Sequence, residues 1–206
     1  PKNSYAPLSP KRLSINARNW ENSTGIKIYW EPSPDKDVAG YEIYRGTASG
    51  FQINQDHYLD FTSDINYLDT KNIKMLTEYY YKIIAADKGG LKSPPSGEVN
   101  DMILNSPRLT FPLDNSILQT LTEFRFKAVS VPAKYKLIIQ SNPVFGTLKE
   151  FNFSSDKRDE DIIVAVPGLS LEPYRTYTWR VFTYTKSETD PNSYSSSFTF
   201  TYSPKN

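Results

Sequence analysis

At 206 residues the chain has room for two domains of about a hundred residues each. Its 24 Lys plus Arg against 23 Asp plus Glu leave a formal net charge of +1, which argues against a nucleic-acid partner. The absence of cysteine excludes disulfides, thiolate metal sites and thiol nucleophiles, and the single histidine, His57, excludes a clustered-His metal centre.

The first half alternates apolar and polar residues with the period of half-buried strands. Arg12 to Ala17 places Leu13, Ile15 and Ala17 on one face, and Gly25 to Trp30 places Ile26, Ile28 and Trp30 on one face with Lys27 and Tyr29 on the other. Pro32 to Asp35 breaks the strand into a loop, after which Gly40 to Arg45 resumes with Tyr41 and Ile43 inward. Shorter strands are expected around Tyr58–Phe61 and Asn66–Asp69. The strongest candidate runs from Tyr79 to Ala85, with Tyr79, Tyr81, Ile83 and Ala85 on one face. Asp87 to Gly90 reads as a turn, and Ser93 to Val99, opened by Pro94 and Pro95, as a last edge-like strand. Short strands at regular spacing around one central tryptophan, Trp30, describe a β-sandwich, since two packed sheets bury the inward sets as a shared core.

The same order of signals returns roughly 95 residues later. Phe124 to Lys127 stands where the Trp30 strand stood, with Phe126 in the plug position, and Tyr135 to Ile139 repeats the Tyr41 strand. Tyr177 to Phe182 repeats Tyr79 to Ile84, and Ser197 to Tyr202 closes the set with Phe198 and Phe200 on one face. Ahead of each strong strand an aliphatic residue precedes a tyrosine by six positions, Ile73 before Tyr79 and Leu171 before Tyr177. This spacing suits a tyrosine corner, in which the phenol bonds back to the loop backbone. Two all-β domains follow, residues 1–102 and 103–206. The segment Asn100 to Pro107 carries Met102, Ile103 and Leu104 and is no polar flexible linker, so those residues are expected to be partly buried at the domain junction of a semi-rigid rod.

Pro34 to Arg45 resembles the passage between the second and third strands of bacterial fibronectin type III domains. Thr77 to Ile83, with Ala85 to Ser96 after it, resembles the same family, so the likeness covers most of residues 7–100. The second half resembles the family less closely: Phe126 replaces the tryptophan and the Asp-Lys-Gly turn is missing, although Leu171-Glu172-Pro173 with Tyr177 to Val181 matches the approach to the sixth strand. The resemblance implies tandem immunoglobulin-like sandwiches, no cofactor, no catalysis, and an extracellular, cell-surface or periplasmic setting in a secreted bacterial protein or lipoprotein.

Candidate sites are few. His57 lacks a Gly-x-Ser-x-Gly nucleophile elbow and reads as an exposed loop or edge-strand residue. Asp35 and Asp37, joined by Asp87, are the residues for a calcium site, but the alternating acids, central Gly and terminal Glu of a calcium loop are missing. Glu123, Glu150 and Glu172 are carboxylates without a shared cleft, and Asp156 to Asp161 reads as a charged hairpin or loop. Arg45-Gly46-Thr47 lacks the carboxylate of an integrin-binding tripeptide, and Asn22-Ser23-Thr24 and Asn152-Phe153-Ser154 are glycosylation acceptors only in a eukaryotic secretory pathway. Trp20, in the polar stretch Asn19 to Asn22, is the one binding candidate: an exposed ring there could meet a polysaccharide, a protein partner or the neighbouring domain. No apolar run approaches a membrane span and no signal peptide is visible; a chain beginning at Pro1 is expected to be processed or truncated, its leader or anchor lost. The resemblance implies a structural module that positions neighbouring modules or presents loops and edges to a partner, and a monomer is expected. Prolines and charges near its edges argue against strand pairing with another chain.

Overall fold

The structure, a computed structural model, describes residues 5–142, 146–187 and 189–205 and is all-β. The chain divides into two compact units. The first takes in the residues up to Arg18 and Asn22–Ile103, the second Asn19–Glu21 and the residues from Leu104 onward.

In the first unit the alternating segments form β1 (Lys11–Trp20), β2 (Ser23–Glu31), β3 (Val38–Gly46), β4 (Tyr58–Thr62), β5 (Asn66–Asp69), β6 (Glu78–Asp87) and β7 (Val99–Met102). One sheet has the order β1-β2-β5, the other β4-β3-β6-β7. Ile26, Ile28 and Trp30 face Ile43, Tyr81, Ile83 and Ala85 across the core, with Ile103 packed among them. Each fully buried aliphatic residue contributes about 1.5–3 kcal/mol. A second cluster lies apart from this core: Tyr44, Phe51 and Ile84, flanked by Ile53 and Tyr80, where the β3–β4 loop folds back on the β3–β6 pair.

The closing strand departs from expectation. Regular pairing with β6 begins only at Val99, because Pro94 and Pro95 cannot donate ladder bonds. Upstream, two serines carry the pairing. The Ser93 and Ser96 hydroxyls accept the N–H groups of Ala85 and Ile83, both at 2.9 Å, while their own N–H groups donate to the same two residues' carbonyls.

The second unit holds β8 (Arg108–Phe111), β9 (Ser116–Leu118), β10 (Glu123–Lys127), β11 (Ala133–Asn142), β12 (Gly146–Ser155), β13 (Asp161–Ala165), β14 (Arg175–Tyr184), β15 (Ser193–Tyr194) and β16 (Phe198–Tyr202). One sheet is β13-β10-β8; in the other β12, β11 and β14 lie side by side, β15 and β16 both pair with β14, and β9 runs parallel beside β16. Its largest fully buried residue is Trp179 on β14, against Phe124 at 4.8 Å, while Phe126 fills the expected plug position and is also fully buried. Leu104 is buried here as well.

The two units repeat each other at the level of single bonds. Trp30 meets Tyr41 at 5.3 Å and Phe126 meets Tyr135 at 5.3 Å. The two phenols accept loop N–H groups from Ser33 and Val129 at 3.0 and 3.1 Å. Both tyrosine corners are present: Tyr79 accepts the Lys74 N–H at 3.0 Å and Tyr177 the Glu172 N–H at 2.8 Å. Three residues before each, Leu76 and Tyr174 take left-handed backbone angles of φ 58 and 61. The serine device recurs too, with Ser195 bonded to Val181 as Ser96 is to Ile83.

Candidate functional site

Most sequence candidates are spent on holding the fold. The Asp35 carboxylate accepts the Leu8 N–H at 2.8 Å and the Ser33 hydroxyl at 3.0 Å, and Asp37 offers its main-chain carbonyl to Lys88. One oxygen of Asp87 closes its turn by accepting the Gly89 and Leu91 N–H groups. Among the described residues no three His, Asp or Glu side chains are grouped to hold a metal ion. His57 ends a single 3-10 turn, Gln55–His57; it is half-buried, tilted against Phe51 at 5.0 Å, and its Nδ1 lies 2.9 Å from Asn54 Oδ1. Half-burial against Phe51 replaces the expected free exposure.

Glu123 on β10, Glu150 on β12 and Glu172 ahead of β14 sit on separate elements and face cations, Arg125, Lys136 and Arg175 respectively. The residues Asp156–Glu160 form the exposed connection between β12 and β13, a charged hairpin loop as its composition suggests.

Arg45 belongs to a buried network that spans both sheets of the first unit. Its guanidinium donates at 2.8 Å to Asp69, which is fully buried, and at 2.7 Å to the Lys71 carbonyl, and it lies over the Tyr79 ring at 4.9 Å. The other donors to Asp69 are the Tyr81 hydroxyl at 2.7 Å and the Lys71 N–H at 2.9 Å. Burial and the negative Asp69 push the Tyr81 phenol far up. Burial works against the Arg45 charge, but the hydrogen bond and charge of Asp69 outweigh it and raise its pKa. Because Asp69 comes from β5 while Arg45 and Tyr81 come from β3 and β6, the network ties sheet to sheet. It is a structural clasp.

Trp20 is the last residue of β1, just before the turn in which the sequence placed it, and belongs to the second unit. It is half-buried, and its indole N–H donates to the Pro191 carbonyl at 2.9 Å. The neighbouring Glu21 N–H points to the Tyr194 hydroxyl at 3.4 Å. These bonds anchor the ring to its own unit.

What is left open is one side of the second sandwich, where β12 edges one sheet and β13 edges the other. Register with β11 aligns Phe153 with buried Tyr135 and Phe151 with buried Leu137, so both phenylalanines point inward at the mouth between the sheets and are only half-buried. Lys149, aligned with buried Ile139, points the same way. A groove of about 370 Å³ runs between Phe153 and β13, and another of about 410 Å³ between Phe151, Lys149 and the turn Val166–Ser170. On β13, Ile162 is buried but Ile163 is 57% exposed, and the strand pairs with β10 alone among the described residues. From Ile162 to Leu171 the chain carries no charge. The sequence shows a short continuous apolar, β-branched run here, but the edge position of the strand depends on pairings made with distant segments.

No protein-family model and no curated protein matches the chain by sequence. Among solved structures, the FN1–FN3 domains of chicken CNTN1 align over 96% of this chain and 68% of their own length, with a TM-score of 0.51 at 12% identity. The fold is that of tandem fibronectin type III domains. A Fn3-like protein from Clostridium thermocellum matches 47% of the chain and 92% of its own, at 25% identity and a TM-score of 0.39. The fibronectin type III domain of human fibronectin type III domain containing protein 3 matches 49% and 89%, at 24% identity and 0.38. At the level of single residues, the two units share the tyrosine corner, and the first adds the clasp around Asp69.

Proposed function

We propose that the chain is a non-catalytic spacer and interaction module of an extracellular, cell-surface or periplasmic protein, divided near residue 102 into its two domains, and that it contacts a protein partner through the β12–β13 side of the second domain. The observation that carries this reading is the contrast between spent and unspent groups. Most carboxylates and the histidine singled out by sequence are committed to turns, ion pairs and loop contacts, whereas among the described residues the β13 edge has no strand beyond β10 and keeps an exposed isoleucine. An unpaired strand edge binds through its main chain, with side chains at alternate positions giving specificity. The setting outside the cytoplasm rests on the family resemblance of residues 34–45 and 77–96; among the described residues no helix is long and apolar enough to cross a membrane.

The test immobilises the full chain and its Ile163→Lys variant and measures binding of proteins from the source cell's envelope and medium. The reading expects a saturable partner retained by the native chain and lost by the variant. Retention by both places the contact elsewhere, and turnover of any substrate by the purified chain overturns the non-catalytic assignment.

A further inference from the structure

Most strand edges in this protein carry the features that keep edges from pairing. β12 has Lys149 pointing inward and Glu150 beside it, β4 has Asp60, β7 has Asn100 and Asp101, and the stretch leading to β7 has two prolines. Inward-pointing charges and prolines are how natural sheets block edge-to-edge association. Those features underlie the expectation of a monomer. β13 carries a single charge, Asp161 at its entry: Ile162, Ile163, Val164 and Ala165 are uncharged and mostly β-branched, Val166 continues the run, and the first proline is Pro167. Such a run on an open edge is a template for another strand.

We infer that this edge takes the β13 strand of a second copy of the chain, antiparallel about a two-fold axis near Ile163. This rests on the reading of β13 as a contact surface and names its occupant. The evidence is self-complementarity. In that register Ile163 meets Ile163, Ile162 lies opposite Val164, and Asp161 lies opposite Ala165, so like charges never face each other. The flanks match as well. Asp159, Glu160 and Asp161, all exposed, enter β13, and the whole connection from Asp156 to Asp161 holds four acidic residues against two basic ones. At the opposite end, beside Val166 to Ser170, stands Lys149, with no carboxylate in that groove. Antiparallel pairing brings the acidic entry of one copy to the lysine end of the other, twice by symmetry. A closed two-fold interface uses one patch on both copies, which a self-complementary edge supplies; β9, also uncharged and paired with β16 alone among the described residues, spans only Ser116–Leu118. Pairing joins the two β13-β10-β8 sheets into one continuous sheet and covers the exposed Ile163.

Sedimentation of the full chain from micromolar to millimolar concentration, with Ile163→Lys and Lys149→Glu variants, provides the test. The native chain dimerises; Ile163→Lys sets lysine against lysine and weakens the dimer by at least about tenfold. Lys149→Glu also weakens it, and Asp161→Lys added to Lys149→Glu restores part of the loss. Because the chain has no cysteine, Ile163→Cys introduces a single thiol, and mild oxidation links it into a covalent dimer far faster than Ile117→Cys, whose parent residue is 73% exposed on another strand. Unchanged thermal unfolding of each variant shows that folding is intact. A native chain monomeric at millimolar concentration, an Ile163→Lys dimer as tight as the native one, or equal cross-linking at the two thiols overturns the inference. A monomer whose envelope partner is nonetheless lost on Ile163→Lys refutes self-pairing while the contact-surface reading stands. A monomer whose partner binding is indifferent to Ile163→Lys refutes both.

Discussion

Removing the Asp69 carboxylate tests whether the first sandwich is held by a polar clasp or by its apolar core alone. In Asp69→Ala the Tyr81 hydroxyl loses its acceptor, the Lys71 N–H loses its turn partner, and Arg45, with only 19% of its side chain exposed, keeps the Lys71 carbonyl and the Tyr79 ring but no counter-charge. Breaking a buried ion pair by deleting one partner costs about 3–5 kcal/mol, mostly through the charge left behind. Tyr81→Phe removes one bond to the same carboxylate and costs about 1.5–3 kcal/mol. The double variant falls short of the sum by about 0.5–3 kcal/mol, since the hydroxyl has nothing to bond once the carboxylate is gone. Urea unfolding of the full chain, followed by hydrogen exchange at the amides of β3, β5 and β6, reads the first unit without interference from the second. A loss under about 1 kcal/mol for Asp69→Ala, or strict additivity in the double variant, would refute the clasp and leave the sheets held by packing alone.

Other contacts have consequences of the same kind. A methyl group on Gly46 would sit 2.6 Å from the Phe51 ring, so Gly46→Ala should displace the β3–β4 loop and cost about 1–3 kcal/mol, seen as faster exchange at residues 49–53. Tyr79→Phe and Tyr177→Phe each leave a loop N–H without its acceptor; each should cost about 1–3 kcal/mol, with differential exchange placing the first loss in the first unit and the second in the other. The phenols of Tyr44, Tyr67 and Tyr81 lie above their usual 10.0, each through burial and then through Glu42, Asp60 and Asp69 respectively. A proton held more tightly in the folded state stabilises it fully below pH 10.0 and progressively less above, so stability should fall as pH rises past that value. Tyrosinate absorbance should rise at higher pH in the folded chain than in urea; coincident titrations would contradict the burial of these rings.

Much of the fold was legible because its determinants are local. The alternation of Ile26, Ile28 and Trp30, the run from Tyr79 to Ala85 and the six-residue spacing ahead of Tyr79 and Tyr177 each state a face or a corner within one segment. The structure forms strands at these segments and adds agreements that spacing alone could not supply, such as the matching positive φ at Leu76 and Tyr174. Where the reading slipped, the cause was competition between backbone and side chain. Ser93 to Val99 reads as an edge-like strand, yet the prolines deny it a ladder before Val99, and the two serine hydroxyls serve in place of the missing regular pairing.

The sites were less legible, for a physical reason that also directs attention to β13. A carboxylate in a sequence is an open valence; only folding shows whether an N–H group or a guanidinium has claimed it, as it has for Asp35, Asp69 and Asp87. An edge is the converse. Ile162 to Val166 reads as a short apolar strand, and what distinguishes it is that among the described residues it pairs with β10 alone, in the order β13-β10-β8. The buried network around Asp69 therefore spends its charges on holding the two sheets of the first unit together. The apolar β13 edge, charged only at Asp161, is where the inferred second copy supplies the pairing that the described residues do not.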